Sequence, residues 1–331
     1  MQDECYRSCR QCPRSCKATR DTGEAGFCGE SAELRAALAC LHFGEEPLIT
    51  VGGGSGTIFL SGCTLRCAFC QNYQISQQGM GTALSQDDFV KLCLRLQDMG
   101  AENINLVTGS HHIPRLAEYI RAAKEGGMAL PFAWNSSAYE SPEMLELLRG
   151  LVDIWLPDLK TLNAEASKKL FAAEDYPAVA QKAILWMLEN SPMRIIHRGE
   201  KEKMLSGTII RHLFLPGRMD DSIFVLDWLK KNADGRACVS LMSQYTPVPF
   251  TGSAAELQAR RLALSALENR LVNAEEDETL RDLIDAYDFD YLFYQDLSDD
   301  TSWLPDFSRP QPFSNALATP AWHWREGVKQ I

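Results

Sequence analysis

Short apolar runs alternate with amphipathic stretches along much of the chain, and the alternation reads as strands and helices in turn. Residues 57–60 form an apolar strand that runs into a loop. Ser85 caps a helix with Asp88 at the capping-box position; Phe89, Leu92, Cys93 and Leu96 recur at helical spacing, and Gly100 ends it. A second strand covers 104–107 and a helix 113–125. The third strand is 130–134, after which Ser141-Pro142 opens a helix with serine as cap and proline in its first turn. Strand four is 152–156, followed by an amphipathic helix over 178–188. Strand five is 208–215 with a helix over 222–230, and strand six is 237–242. Strands alternating with helices imply parallel strands joined by right-handed crossovers. Six such units predict an α/β fold, a partial, TIM-like (β/α)₆ barrel over 49–250, with reactive groups at the carboxyl ends of its strands.

The pattern changes on either side. Residues 1–48 open with a segment rich in cysteine, arginine and glycine and poor in apolar periodicity, which predicts a small metal-stapled module and a linker. Residues 251–331 predict an extension, with a long helical segment over 254–285 and a Trp/Pro-rich tail. The tail residues Trp303, Trp322 and Trp324 are expected to pack over one side of the barrel, or to form a docking surface.

At 331 residues the chain can bury a large core, and 45% apolar with 23% charged residues is ordinary for a globular protein. No apolar run approaches membrane-spanning length and no apolar signal core follows Met1, so a cytoplasmic protein without membrane contact is expected. The net charge of −11 is concentrated: residues 275–306 carry twelve acidic residues against Arg281 alone. This argues against nucleic acid as a partner, since such binders present a basic face. The stretch reads as a solvated surface, or as a docking face for a basic partner.

Eleven cysteines in a reducing compartment point to metal rather than disulfides. Cys40, Cys93 and Cys238 stand alone and read as small core residues. Cys63, Cys67 and Cys70 form a CxxxCxxC loop after the first strand. A [4Fe–4S] cube normally takes four thiolates, so three from one loop leave one iron open to a small molecule. A zinc site would offer paired CxxC units, and a redox dithiol would need only Cys67 and Cys70. The spacing, the strand before it and the aromatic Phe69 resemble the radical S-adenosylmethionine (radical SAM) superfamily, whose usual fold is the partial barrel. The resemblance implies a [4Fe–4S] cluster on Cys63, Cys67 and Cys70, SAM chelated to the open iron, and a 5′-deoxyadenosyl radical formed by one-electron cleavage.

Wider signatures narrow the resemblance: Cys12-Pro13-Arg14-Ser15-Cys16, Gly26-Phe27-Cys28-Gly29, His42-Phe43-Gly44-Glu45-Glu46-Pro47, Cys70-Gln71-Asn72-Tyr73, Leu156-Pro157-Asp158-Leu159-Lys160 and Ile210-Arg211-His212. Over roughly 9–250 they look like the iron–sulfur proteins known as pyruvate formate-lyase activating enzyme-like. That likeness implies a SAM site in which Lys160 meets the methionyl carboxylate and Asp158 helps hold a monovalent cation nearby. Arg211 would point at SAM, while Asn135, Ser136 and Ser137 would bond the ribose. Each residue also has a plainer reading: a strand-end ion pair for Asp158 and Lys160, a bridge between neighbouring carboxylates for Arg211, loop chemistry for the Asn-Ser-Ser turn. Where the activases carry Gly-Gly-Glu after strand two, this chain has Thr108-Gly109-Ser110-His111-His112. Thr108 and the backbone would then meet the amine, and the two histidines would bind metal, move protons or cap the next helix. Tyr245 and Gln244 after strand six would face substrate or close the barrel. The segment from His42 to Pro47 would line the substrate face, cap, or sit between domains.

Cys9, Cys12, Cys16 and Cys28 supply four thiolates, enough for a closed site holding zinc or an auxiliary iron–sulfur cluster; Cys5 is spare. The resulting expectation is an oxygen-sensitive, anaerobically active radical SAM oxidoreductase, a lyase-activating type of enzyme acting on a protein or peptide, with an electron donor such as flavodoxin or ferredoxin. Radical modification of a small metabolite or RNA, and electron transfer or maturation without SAM cleavage, are the competing readings.

Overall fold

The computed structural model describes residues 2–199 and 201–328. Its strands are β1 (Arg35–His42), β2 (Ser55–Leu60), β3 (Thr82–Ala83), β4 (Ile104–Val107), β5 (Phe132–Ser136), β6 (Ile154–Pro157), β7 (Arg194–Arg198), β8 (Lys201–Leu213), β9 (Cys238–Met242), β10 (Leu292–Gln295), β11 (Ala318–His323) and β12 (Gly327–Val328). Its helices are α1 (Gln2–Arg7), α2 (Tyr73–Ser76), α3 (Gln86–Asp98), α4 (Ile113–Glu125), α5 (Pro142–Leu145), α6 (Ala164–Phe171), α7 (Tyr176–Asn190), α8 (Met219–Asn232), α9 (Ala254–Leu264) and α10 (Ala274–Tyr287). Strands β2, β4, β5, β6, β8 and β9 run parallel in that order, with α3, α4, α7 and α8 in the connections. This is the partial (β/α)₆ barrel that the alternating pattern predicts. It stays open, because β10 ends one side of the sheet and β12 the other.

Several elements go beyond the prediction. β1 lies antiparallel to β2, β11 antiparallel to β1, and β10 parallel to β9, so segments before and after the barrel extend one sheet. Strand five begins earlier than predicted, at Lys201, because β7 pairs with its first half as a hairpin. The segment 254–285 is two helices: Ser253 with Glu256 and Asn273 with Glu276 form separate capping boxes, and the second box starts a new helix. The tail packs as expected, with Phe307 and Phe313 against Phe59 at 5.4 Å between ring centroids.

Period-two alternation sorts each strand's side chains to two faces. Ile104, Leu106, Phe132, Trp134, Trp155, Ile210, Val239 and Leu241 turn outward to pack with the helices in the largest core cluster. Their neighbours Asn105, Asn135, Arg211 and Ser240 turn inward. The chain between β1 and β2 enters this interior, where Leu48 and Ile49 pack with Ala133, Ile154, Leu156, Met204, Ile209 and Cys238. Cys40, Cys93 and Cys238 are fully buried apolar-type residues, as read from the sequence. Among the described residues no helix is long and apolar enough to cross a membrane.

The amino-terminal segment docks on the barrel through a buried guanidinium. Arg20, 1% exposed, donates to the backbone oxygens of Ser31 (2.7 Å) and His111 (2.7 Å) and to Nε2 of His112 (3.1 Å). With Nε2 accepting, Nδ1–H of His112 is free to donate to the Tyr6 hydroxyl at 3.2 Å. His111 donates from Nε2 to the Ser61 carbonyl at 2.7 Å. The histidines thus tie three segments together. His112 occupies the N-cap position of α4 without a side-chain cap bond, so the capping reading does not hold.

Burial holds His111 at about 3 and His112 well below its ordinary range, with Arg20 adding repulsion to both and His111 to His112. Unfolded histidines take up protons below about pH 6.5 while this pair stays neutral, so the unfolded state binds more protons there. Stability is therefore fully present above that pH and falls as pH drops. Between pH 7.5 and 5.5 each histidine should remove on the order of 1 kcal/mol. Thermal unfolding at the two pH values checks this: His112→Gln should lose part of the wild-type pH difference, and an unchanged difference would contradict it.

Candidate active site

The cysteine loop leaves β2 through Ser61-Gly62. Gly62 has φ +79°, and a Cβ there would stand 2.4 Å from Glu30 Cγ and 2.9 Å from the Cys28 oxygen. Only glycine permits that turn and that approach. Beyond it, partners distant in sequence hold the loop. Cys63 N–H donates to the Cys28 oxygen (3.2 Å) and Ala68 N–H to the Leu170 oxygen (2.8 Å). Arg14 donates from Nε to the Thr64 oxygen (2.9 Å) and from Nη2 to the Phe171 oxygen (3.2 Å). Arg260, on α9, donates to the Ala68 oxygen (3.0 Å) and to Gln77 Oε1 (2.8 Å), and its guanidinium lies 3.7 Å from the centre of the Phe250 ring. Arg14 lies in the Cys12–Cys16 signature, whereas Arg260 does not stand out in the sequence. Only docking shows what each grips.

Cys63, Cys67 and Cys70 stand within electrostatic reach of one another and of Lys160. Burial pushes the Cys63 thiol up to about 12 and raises Cys67 and Cys70 as well. Such thiols become thiolates only beside a strong positive charge, which a bound metal supplies. Leu65 N–H donates to Cys63 Sγ at 3.4 Å, and Ser76 Oγ lies 3.3 Å from Cys70 Sγ. Among the described residues no three such side chains converge on a single-ion site. A cluster asks for a wider set, because each thiolate holds its own iron. The three thiols fit a cluster in number and chemistry.

The charged residues predicted for the SAM site meet beside this loop. Asp158 stands next to Arg211 in the β6–β8 register, so both belong to the inner face. Asp158 Oδ2 accepts from Lys160 Nζ at 2.6 Å and Oδ1 accepts from Arg211 Nε at 3.0 Å. Arg211 Nη2 reaches on to Asn135 Oδ1 at 2.5 Å. Burial would push the Asp158 carboxyl up, but Lys160 and Arg211 together hold it below the ordinary range. Tyr176 supports the turn, accepting from Lys160 N–H (3.0 Å) and donating to the Asp158 oxygen (2.7 Å). In this arrangement Arg211 spends two of its donors on Asp158 and Asn135.

The remaining candidates separate. Ser136 accepts from Ala138 N–H at 3.1 Å and closes a local turn. Thr108 is half-buried with φ +65°, a conformation uncommon for a residue with a side chain, at the end of β4. Phe69 packs edge-on against Phe171 and Tyr245, at 5.8 and 5.9 Å. Tyr245 is buried and donates to Asn269 Oδ1 at 2.6 Å, which ties the chain after β9 to the segment between α9 and α10. Gln244 donates to the Asp296 oxygen at 3.1 Å. Two interior acids complete the picture. Asn105 Nδ2 donates to Glu45 Oε1 at 3.2 Å, with His42 Nδ1 also 3.2 Å away, and Glu46 keeps a buried oxygen, Oε2, without a partner. Both acids raise the Arg211 guanidinium's affinity for its proton. Sequence reading left the His42–Pro47 segment three roles, lining the substrate face, capping or sitting between domains, and here both acids lie within the field of Arg211. Sequence reading missed Glu140, fully buried, which accepts from Ser110 Oγ (2.5 Å) and Trp134 Nε1 (3.2 Å).

The chain is similar to known proteins over its central part and beyond. Residues 57–209 match the model of the Radical SAM superfamily. An uncharacterized protein of Methanocaldococcus jannaschii is 28% identical over 298 residues, 87% of this chain and 77% of that protein. The pyruvate formate-lyase-activating enzyme of Listeria monocytogenes is 26% identical over 173 residues, 50% of this chain and 63% of that enzyme. Among solved structures, Streptococcus suis SuiB bound to the precursor peptide SuiA aligns with a TM-score of 0.49 at 14% identity, over 72% of this chain and 47% of that one; at that level the likeness carries no argument. A [4Fe–4S] cluster and SAM are the cofactors that go with the matched superfamily, whose enzymes also need a reductant. Residues 57–209, which include the cysteine loop and the β6 end that leads into Asp158 and Lys160, are the part of the chain that matches the Radical SAM superfamily.

Proposed function

We propose that this chain is a glycyl radical enzyme activase-like radical SAM enzyme that abstracts hydrogen from a protein or peptide. One observation supports the reading above others: the three loop thiols and the Asp158–Lys160–Arg211–Asn135 network stand at one mouth of one barrel. When bound, the cluster supplies one electron that breaks the sulfur–C5′ bond of SAM and yields a 5′-deoxyadenosyl radical.

In this reading the chain's own residues position and shield. Lys160 presents its ammonium to the methionyl carboxylate from a stem 18% exposed, where charge attraction is stronger than in open water. Asp158 keeps that ammonium charged and fixes its direction; as the network now stands it faces two cations rather than a free monovalent ion. Asn135 and Arg211 hold each other, so Asn135 offers its amide N–H to a ribose hydroxyl while its oxygen stays engaged. Thr108, Ser136 and Ser137 are the remaining contacts proposed for SAM, and Phe69 packs the loop onto Tyr245 and Phe171. A protein substrate is favoured by the likeness to the Listeria activating enzyme. Flavodoxin or ferredoxin would serve as reductant.

Two results are expected. Anaerobically reconstituted and reduced protein should convert SAM to 5′-deoxyadenosine and methionine, and replacement of Cys63, Cys67 and Cys70 by alanine should abolish the product; product formation by that variant would remove the cluster from the account. Lys160→Met should weaken SAM binding at least tenfold, about 1.4 kcal/mol, by equilibrium dialysis. Unchanged affinity in a folded Lys160→Met protein would place the carboxylate elsewhere.

A further inference from the structure

The four amino-terminal cysteines also come together, although the chain around them has little secondary structure. Cys12 senses Cys28, Cys9 and Cys16 as neighbouring charges, and Cys9 lies within hydrogen-bonding reach of Cys16. An ideal Cβ on Gly26 would stand 3.4 Å from both Cys16 Sγ and Cys28 Sγ, so the glycine keeps bulk away from these sulfurs. Backbone N–H groups turn onto the sulfurs: that of Arg14 onto Cys12, those of Ala18 and Phe27 onto Cys16, and that of Glu30 onto Cys28. The same donor two residues ahead serves Cys63 from Leu65 and Cys70 from Asn72 in the catalytic loop. N–H groups aimed at sulfur lower the cost of the thiolate, the metal-binding form, although burial still raises the Cys12 and Cys28 thiols. Ser15 and Lys17 flank Cys16 with φ of 43° and 59°, turning the backbone to bring its sulfur back to the group. The guanidinium of Arg20 closes the inner side, with Nη1 3.5 Å from Cys9 Sγ. Free thiols need none of this.

The module is also fixed against the catalytic loop. Cys28 supplies the oxygen that Cys63 N–H bonds at 3.2 Å, and the two thiols are within electrostatic reach. Arg14 grips Thr64, and Arg66 Nη2 donates to the Phe27 oxygen at 3.0 Å. Cys28 is buried on the side facing Cys63, whereas Cys16 is exposed, with the exposed cations Arg10 and Lys17 near it in sequence. The quartet therefore runs from the exposed Cys16 inward to the loop that carries Cys63.

We infer that Cys9, Cys12, Cys16 and Cys28 hold a second, fully ligated iron–sulfur cluster through which a one-electron donor protein reduces the cluster on Cys63, Cys67 and Cys70. Four thiolates close such a cluster and leave no iron open to SAM. The donor loses one electron, the amino-terminal cluster gains and passes it on, and no proton moves. A zinc ion has no redox chemistry and could not relay an electron, and among the described residues no three cysteines close on a single ion. The role as relay rests on the proposed radical SAM reaction; the metal site itself does not.

The test compares three full-length proteins reconstituted anaerobically: wild type, a Cys12→Ala/Cys16→Ala variant, and the Cys63/Cys67/Cys70→Ala variant. Metal and sulfide are counted and reduced samples examined by electron paramagnetic resonance. Wild type should hold about four irons on the catalytic loop plus two to four more. The catalytic-loop variant should keep only the latter, with a signal that SAM does not change. The amino-terminal variant should lose them, and reduction of its remaining cluster by a protein donor should slow at least tenfold while dithionite still reduces it. One zinc in place of the extra irons, or no metal in a folded catalytic-loop variant, would overturn the inference. Equal donor-driven rates would overturn the relay. If the amino-terminal variant fails to fold, the metal content of the catalytic-loop variant decides alone. Extra irons in a wild-type protein that does not cleave SAM would sink the proposed reaction and leave this site standing.

Discussion

A carboxylate shared by two cations governs the barrel mouth. Moving an ion out of water costs several kcal/mol even after relaxation, and the cost is offset only where partners are well placed. Asp158 meets that condition through Lys160 at 2.6 Å and Arg211 at 3.0 Å. Arg211 is in turn bounded by Asn135 and by the field of Glu45 and Glu46. Removing any one of these charges leaves another buried without its counter-charge. The network therefore fixes the direction of the Lys160 ammonium, and that ammonium is the charge felt by all three loop thiols. Strand register makes this possible, because Asp158 lies opposite Arg211 and Asn135 opposite Leu156 on adjacent parallel strands.

A second constraint comes from outside the barrel. The cysteine loop has little regular structure of its own: α2 begins only at Tyr73. Its backbone is satisfied by Cys28, Arg14 and Phe171 on one side and by Arg260 on the other. The amino-terminal module and the first helix of the carboxyl-terminal extension thus clamp the loop that carries Cys63, Cys67 and Cys70. Arg20 plays the matching part deeper in, where a buried cation faces His112 and Cys9 and adds to the burial that keeps both histidines neutral. The module's position, the orientation of the loop and the protonation state of the pair are one coupled arrangement.

Much of the barrel is legible in the sequence because its strands follow a local rule. Each is a short apolar run, and an amphipathic helix with its own cap follows, so no distant partner is needed to recognise it. β1 escapes that rule. Residues 36–41 are small or apolar throughout and buried on both faces, between β2 and β11, and β11 lies some 280 positions later in the chain. The division between α9 and α10 is written locally, in Asn273 and Glu276, but was masked by continuous helical composition. The site residues divide in the same way. Cys63, Cys67, Cys70, Asp158 and Lys160 are visible as motifs at strand ends. Arg260 and Glu140 act through contacts made by docking, and nothing in their sequence neighbourhood separates them from surface charges; Arg14, Glu45 and Glu46 sit in recognisable signatures whose contacts only the fold reveals. Arg211 was legible as a candidate, whereas its engagement with Asp158 and Asn135 depends on register.

The account stands on an iron left open by a three-thiolate loop beside the Lys160 ammonium. Electron paramagnetic resonance of a Cys12→Ala/Cys16→Ala protein, reduced and frozen with and without saturating SAM, addresses that iron alone. A reduced [4Fe–4S] signal that changes its g-values when SAM is added is the predicted result. A reduced cluster whose spectrum is identical with and without SAM would contradict the account.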